Sequence, residues 1–83
     1  MQLGRQTGTL FEAVVSASGL APLIAPEVIR RACTRAGVST TIPTTDDLVR
    51  ALPAIRQALG VYMSPEEVQR HMRAIEKIAG LKH

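Results

Sequence analysis

Eighty-three residues carry one small domain. A chain of this size buries only about 60–65% of the surface its unfolded form exposes, so stability is marginal and association with a second chain is an expected supplement. Hydrophobic residues at 46% exclude a disordered tail, a single cysteine excludes an internal disulfide, and the net charge of +3 leaves no acidic bias to explain.

Residues 1–8, polar and glycine-containing, are expected to form a flexible arm ahead of a single helical domain over 9–83. A first helix is predicted at about 9–18, with Thr7 or Thr9 near its cap. On a helical wheel Leu10, Ala13, Val14 and Ala17 share one face, Phe11 and Val15 lie beside them, and Glu12 and Ser16 are left for solvent. That arc is wider than the roughly 100° stripe of a surface helix. The helix therefore calls for partners on two sides: its own core, and a second chain met through Phe11 and Val15.

Gly19-Leu20-Ala21-Pro22 ends the first helix, and Leu23-Ile24-Ala25 leads into a second at about 26–36, stopped by Gly37. Val28, Ile29, Ala32, Cys33 and Ala36 fall on one arc, with Glu27, Arg30, Arg31, Thr34 and Arg35 on the other. Cys33 therefore points inward. Residues 39–44 read as a loop closed by Pro43, which drives Ile42 out of the helical region.

The third helix, about 45–60, starts at Thr44 or Thr45 with Asp46 and Asp47 at its positive end. Leu48, Leu52, Ile55 and Leu59, flanked by Ala51 and Ala58, make the strongest core stripe in the chain. Pro53 falls on the opposite side, where it bends the helix around the core rather than breaking it. Gly60 or the Val61-Tyr62 pair ends it.

The fourth helix, about 65–79, has the clearest start. Ser64-Pro65-Glu66-Glu67 reads as a capping box with proline at the first helical position, and Met63 and Val68 as its hydrophobic staple. Gly80 and Leu81 give a left-handed stop. Val68, Met72, Ile75, Ile78 and Ala79 face inward, and Arg70, Arg73 and Lys77 lie on the far side. A weaker copy of this start, Ile24-Ala25-Pro26-Glu27, stands 39 residues upstream with Ile24 and Ile29 in the staple positions, and Arg31 then matches Arg70. The expected fold is all-α: a compact four-helix bundle of two helix-linker-helix hairpins.

Catalytic chemistry has little to work with. His83 is terminal, Cys33 sits on an apolar face, and His71 lies at the edge of an apolar arc, where a carbonyl or Glu67 one turn earlier satisfies it. The acidic residues Glu27, Asp46, Asp47, Glu66 and Glu67 cluster at helix starts, where capping and the macrodipole account for them. No cofactor, metal or enzymatic activity is expected. The longest uncharged run, residues 13–26, is too short and interrupted to span a bilayer, and a signal peptide is not indicated, so the expected location is cytoplasmic.

Eight of the ten basic residues are arginine, a bias that suits phosphate or carboxylate recognition and equally reflects genomic base composition. Arg30, Arg31 and Arg35 form one basic face and Arg70, Arg73 and Lys77 another; exposed on one side, they would neutralise several phosphates. Arg35-Ala36-Gly37-Val38-Ser39-Thr40-Thr41 resembles the turn of helix-turn-helix repressors, which would imply DNA binding, but Pro43 blocks the recognition helix in its second turn. Leu23-Ile24-Ala25-Pro26 with the basic helix after it resembles the opening of an archaeal-type histone; Pro53 and the punctuation over 60–65 cut the long central helix that fold needs. The expected function is a small non-enzymatic protein–protein interaction or regulatory adaptor module that self-associates. A DNA-binding regulator using the two basic faces is the alternative.

Overall fold

The computed structural model describes residues 10–80. The arm expected over 1–8, the Thr7 or Thr9 cap and Leu81 lie outside them. Four helices follow in order: α1 (Leu10–Ala17), α2 (Ala25–Ala36), α3 (Thr45–Leu59) and α4 (Pro65–Ile78). Among the described residues there is no strand.

The helices form a square. α2 packs on α1 and α3, α4 packs on α1 and α3, and the diagonal pairs α1–α3 and α2–α4 hardly touch. α1 with α2 and α3 with α4 each make a hairpin, and the two hairpins close face to face, α2 on α3 and α4 on α1, into a bundle of 40 × 28 × 23 Å. The axis is filled by aliphatic side chains with no measurable exposure: Val14 from α1, Ile29 from α2, Leu48, Ile55 and Leu59 from α3, and Ile75 from α4. Met72 and the Cys33 thiol fill the remaining space.

Local chemistry sets the boundaries. At α4 the Ser64 N–H donates to Glu67 Oε1 (3.1 Å) and the Glu67 N–H donates to Ser64 Oγ (3.3 Å), a reciprocal capping box. Met63 packs against the core beside it. At α3 the cap is Thr44, whose Oγ1 accepts from the Asp47 N–H at 3.2 Å. α2 begins one residue earlier than its proline implied and without a side-chain cap; residues 21–24 wind into a preliminary turn in which the Ala25 N–H reaches Ala21 O at 2.9 Å. Ile24 is consequently not tucked into a staple but stands 38% exposed. Gly37 closes α2 in the left-handed conformation, φ +78, and Gly80 follows α4 at φ +86.

Pro53 and Pro43 both act as their places in the sequence lead one to expect. Pro53 is exposed in the middle of an unbroken α3. Ile42 leaves the right-handed helical region for a positive φ of 50°, rare for a β-branched residue, with its side chain buried in the core.

The capping box makes a prediction. Ser64→Ala removes an N-cap acceptor and should cost about 1 kcal/mol, read as a lower melting temperature. The Ser64 amide above all, against an opposing desolvation and with lesser help from the Ser64 hydroxyl and the Arg70 charge, holds the Glu67 carboxyl below its ordinary value of 4.5. A depressed carboxyl stabilises the fold above its unfolded-state value, and the effect is lost as pH falls through the folded value. Thermal melts from pH 6 down to 3 should therefore show a shallower acid loss in Glu67→Gln than in the parent; parallel curves would show that the box contributes no pH dependence.

Candidate functional site

The turn after α1 is held by side-chain hydrogen bonds from within and from α4. Ser18, fully buried, donates its hydroxyl to Val15 O (2.8 Å) and accepts the Leu20 N–H (3.2 Å). From α4, His71 Nδ1 meets the Ala17 carbonyl at 3.2 Å. A carbonyl can only accept, so Nδ1 carries a proton. Gly19, at φ +76, lies directly against the imidazole, and a Cβ placed there would overlap the ring. The histidine is thus a structural tie between α4 and the C-terminus of α1.

Past this turn the chain runs outward. Leu23 is 95% exposed, and at the same end of the bundle the turn after α3 leaves Val61 76% and Tyr62 53% exposed. These side chains, with Ile24, wall an open cleft of about 530 Å³ between α2 and the α3–α4 turn, and Arg31 and Arg35 line it from α2. The 39-residue offset places Leu23 opposite Tyr62, one from each hairpin. Four large apolar side chains are thus left in water at one end of so small a domain.

The residues singled out from the sequence fall in three places. Phe11 and Val15 are half-buried and pack against the chain's own core, with the Arg30 guanidinium 5.7 Å from the Phe11 ring centroid, within cation–π range. Arg30, Arg31 and Arg35 lie on the outer side of α2, where a second, shallower groove shares Arg31 and Arg35 with the apolar cleft. Glu27 engages two of them, at 3.1 Å from Arg31 and 3.9 Å from Arg30, while no ion pair holds Arg35 among the described residues. Arg70, Arg73 and Lys77 are exposed on α4. Because α2 and α4 occupy a diagonal of the square, the two basic sets face away from each other and are not joined into one footprint.

Leu23, Ile24, Val61 and Tyr62 were not singled out by periodicity, because a helical wheel ranks only helical residues. The signal available was the offset itself: both linkers carry large apolar side chains at matching positions with no helix stripe to absorb them.

The segment resembling a helix-turn-helix turn enters a loop at Val38, and α3 starts only at Thr45, so no helix occupies the recognition position. The 60–64 turn likewise separates α3 from α4 where a histone-like fold needs continuity. Burial pushes the Cys33 thiol above its ordinary value, which makes it a poor nucleophile. Among the described residues no group of three or more histidine, cysteine or carboxylate side chains could hold a metal ion, and no helix is long and apolar enough to cross a membrane. The chain matches no protein-family model, no curated protein and no solved structure.

Proposed function

We propose that this chain is a small non-enzymatic protein–protein interaction module, an adaptor or regulator working in the cytoplasm. The observation that supports it is the apolar cleft: Leu23, Val61 and Tyr62 are held in water by a bundle whose core is otherwise closed. Exposing them costs solubility, and a contact with another protein would remove that cost.

Self-association is part of the proposal. α1 shows solvent only Glu12 and Ser16 outright, and the open parts of Phe11 and Val15 continue its apolar side to the surface. Sedimentation equilibrium should give a mass that rises above the 8.9 kDa of one chain as concentration increases. A constant single-chain mass at millimolar concentration removes the self-association.

The same preparation separates the nucleic-acid alternative. Duplex DNA binding that weakens log-linearly with salt, at a slope implying several phosphates, would move the reading to a DNA-binding regulator. The divergence of the two basic faces leads us to expect none of that steepness.

A further inference from the structure

Resting on the interaction-module reading, we infer that the cleft between α2 and the α3–α4 turn takes an acidic peptide segment of a partner protein, with apolar anchor side chains entering between Leu23 and Tyr62. Three features of the surface carry this.

The first is shape. At about 530 Å³ the cleft is large enough to receive more than one apolar side chain, yet its walls are turn residues that project rather than enclose. Leu23 is 95% exposed, so a small molecule seated in the floor would leave it wet. Only an occupant that extends over the rim removes it from water. A lipid surface fits poorly, because a concave apolar site does not present its floor to a flat interface.

The second is charge. The α2 side of the cleft carries Arg31 and Arg35 against the single carboxylate Glu27, and the neighbouring groove adds Arg30. Glu27 is already committed to Arg30 and Arg31, and no ion pair holds Arg35 among the described residues. A segment leaving the cleft along α2 therefore runs onto a ledge with more guanidinium than carboxylate. Guanidinium forks pair bidentately with carboxylates, and one with no partner already in place gives up least on doing so.

The third is continuity. The apolar cleft and the arginine groove share Glu27, Arg31 and Arg35, so one chain can occupy both without a gap. Apolar anchors beside a run of acidic residues are the sequence such a surface selects.

Tyr62 supplies the assay. It is the only tyrosine and the chain has no tryptophan, so intrinsic fluorescence reports this cleft alone. The probe is a displayed library of random twelve-residue peptides panned against the full chain, with enriched sequences synthesised and titrated while Tyr62 emission is followed. Enriched peptides should combine Asp or Glu with large apolar residues and change the emission saturably. Leu23→Ser should weaken them at least tenfold, and Arg35→Glu severalfold. Both positions are exposed, and circular dichroism checks that the variants keep the helical fold. Enrichment of neutral or basic peptides overturns the inference, as does indifference to both substitutions or the absence of any enriched sequence. A concentration-dependent change in Tyr62 emission with no peptide present also overturns it, giving the cleft to a second copy of the chain.

These failures differ from failure of the parent reading. Binders that map elsewhere, or self-association without peptide binding, end the acidic-peptide assignment and leave an interaction module. A single-chain mass at millimolar concentration together with no binder ends both.

Discussion

Gly19→Ala should destabilise the protein by about 2–3 kcal/mol, a lowering of the melting temperature by roughly 10–20 °C in a domain of this size. Two costs combine. A side chain at φ +76 is disfavoured by about 1 kcal/mol or more relative to glycine. The new methyl also meets the His71 ring, which must swing away and surrender its bond to the Ala17 carbonyl, a further loss of about 1 kcal/mol with some packing added. The two are separable by a double-mutant cycle. His71→Ala alone should cost about 1–2 kcal/mol, and in its background Gly19→Ala should cost only the backbone part, so the pair falls short of additivity by about 1 kcal/mol. Strict additivity would show that the ring and the glycine are neighbours without being coupled.

Pro53→Ala should act in the opposite direction, raising stability by about 2 kcal/mol. A proline inside a helix costs about 3 kcal/mol through its missing N–H and the clash of its ring with the carbonyl one turn back, and the flexibility alanine returns to the unfolded chain offsets about 0.4–1 kcal/mol of the gain. In this protein the carbonyl in question belongs to Val49, on the exposed side of α3, so the restored bond disturbs no buried contact. Chemical denaturation at neutral pH is the measurement, with the midpoint rising and the slope unchanged. A fall in the midpoint would mean that the proline ring shapes α3 so as to seat Leu48 and Ile55 in the core.

The elements most readable from the sequence were those whose ends are chemical. Ser64 with Glu67, a threonine cap at 44 or 45, and glycines at 37 and 80 announce themselves because the atoms that close the helix belong to residues within one turn; of the two threonines it is Thr44 that caps, through Asp47. The core stripes of α2, α3 and α4 followed from periodicity, and Ile29, Cys33, Leu48, Ile55, Leu59, Val68, Met72 and Ile75 are all buried as their spacing requires. The start of α2 was less legible: Ala25 offers no capping oxygen, and the preceding turn satisfies the backbone instead. The left-handed Ile42 was not legible, since nothing in Thr41-Ile42-Pro43 tells which side of the helical region the chain will leave by. For His71 the sequence offers a carbonyl or Glu67 one turn earlier; that the partner is the Ala17 carbonyl, 54 residues away, depends on the docking of α4 on α1.

The cleft was hidden for a related reason. Each linker alone is a short apolar turn, and whether Leu23 and Tyr62 end in the core or in water is decided by how the hairpins meet. The two basic faces show the converse: each was visible on its own helix, and their relation to each other appears only in the square arrangement that puts α2 and α4 on a diagonal.

Because one wall of the cleft comes from the first hairpin and the other from the second, whatever fills it acts as a clamp across the seam between them. The occupied form would resist separation of the halves by the free energy of binding itself, about 2.7 kcal/mol when the occupant stands at a hundred times its dissociation constant. For a domain of only 83 residues, that is a substantial part of the margin between the folded and the open chain. Lifetime in the cell would then follow the supply of the partner, with unclamped copies cleared by proteolysis first and the amount of this protein adjusting to the amount of what it holds.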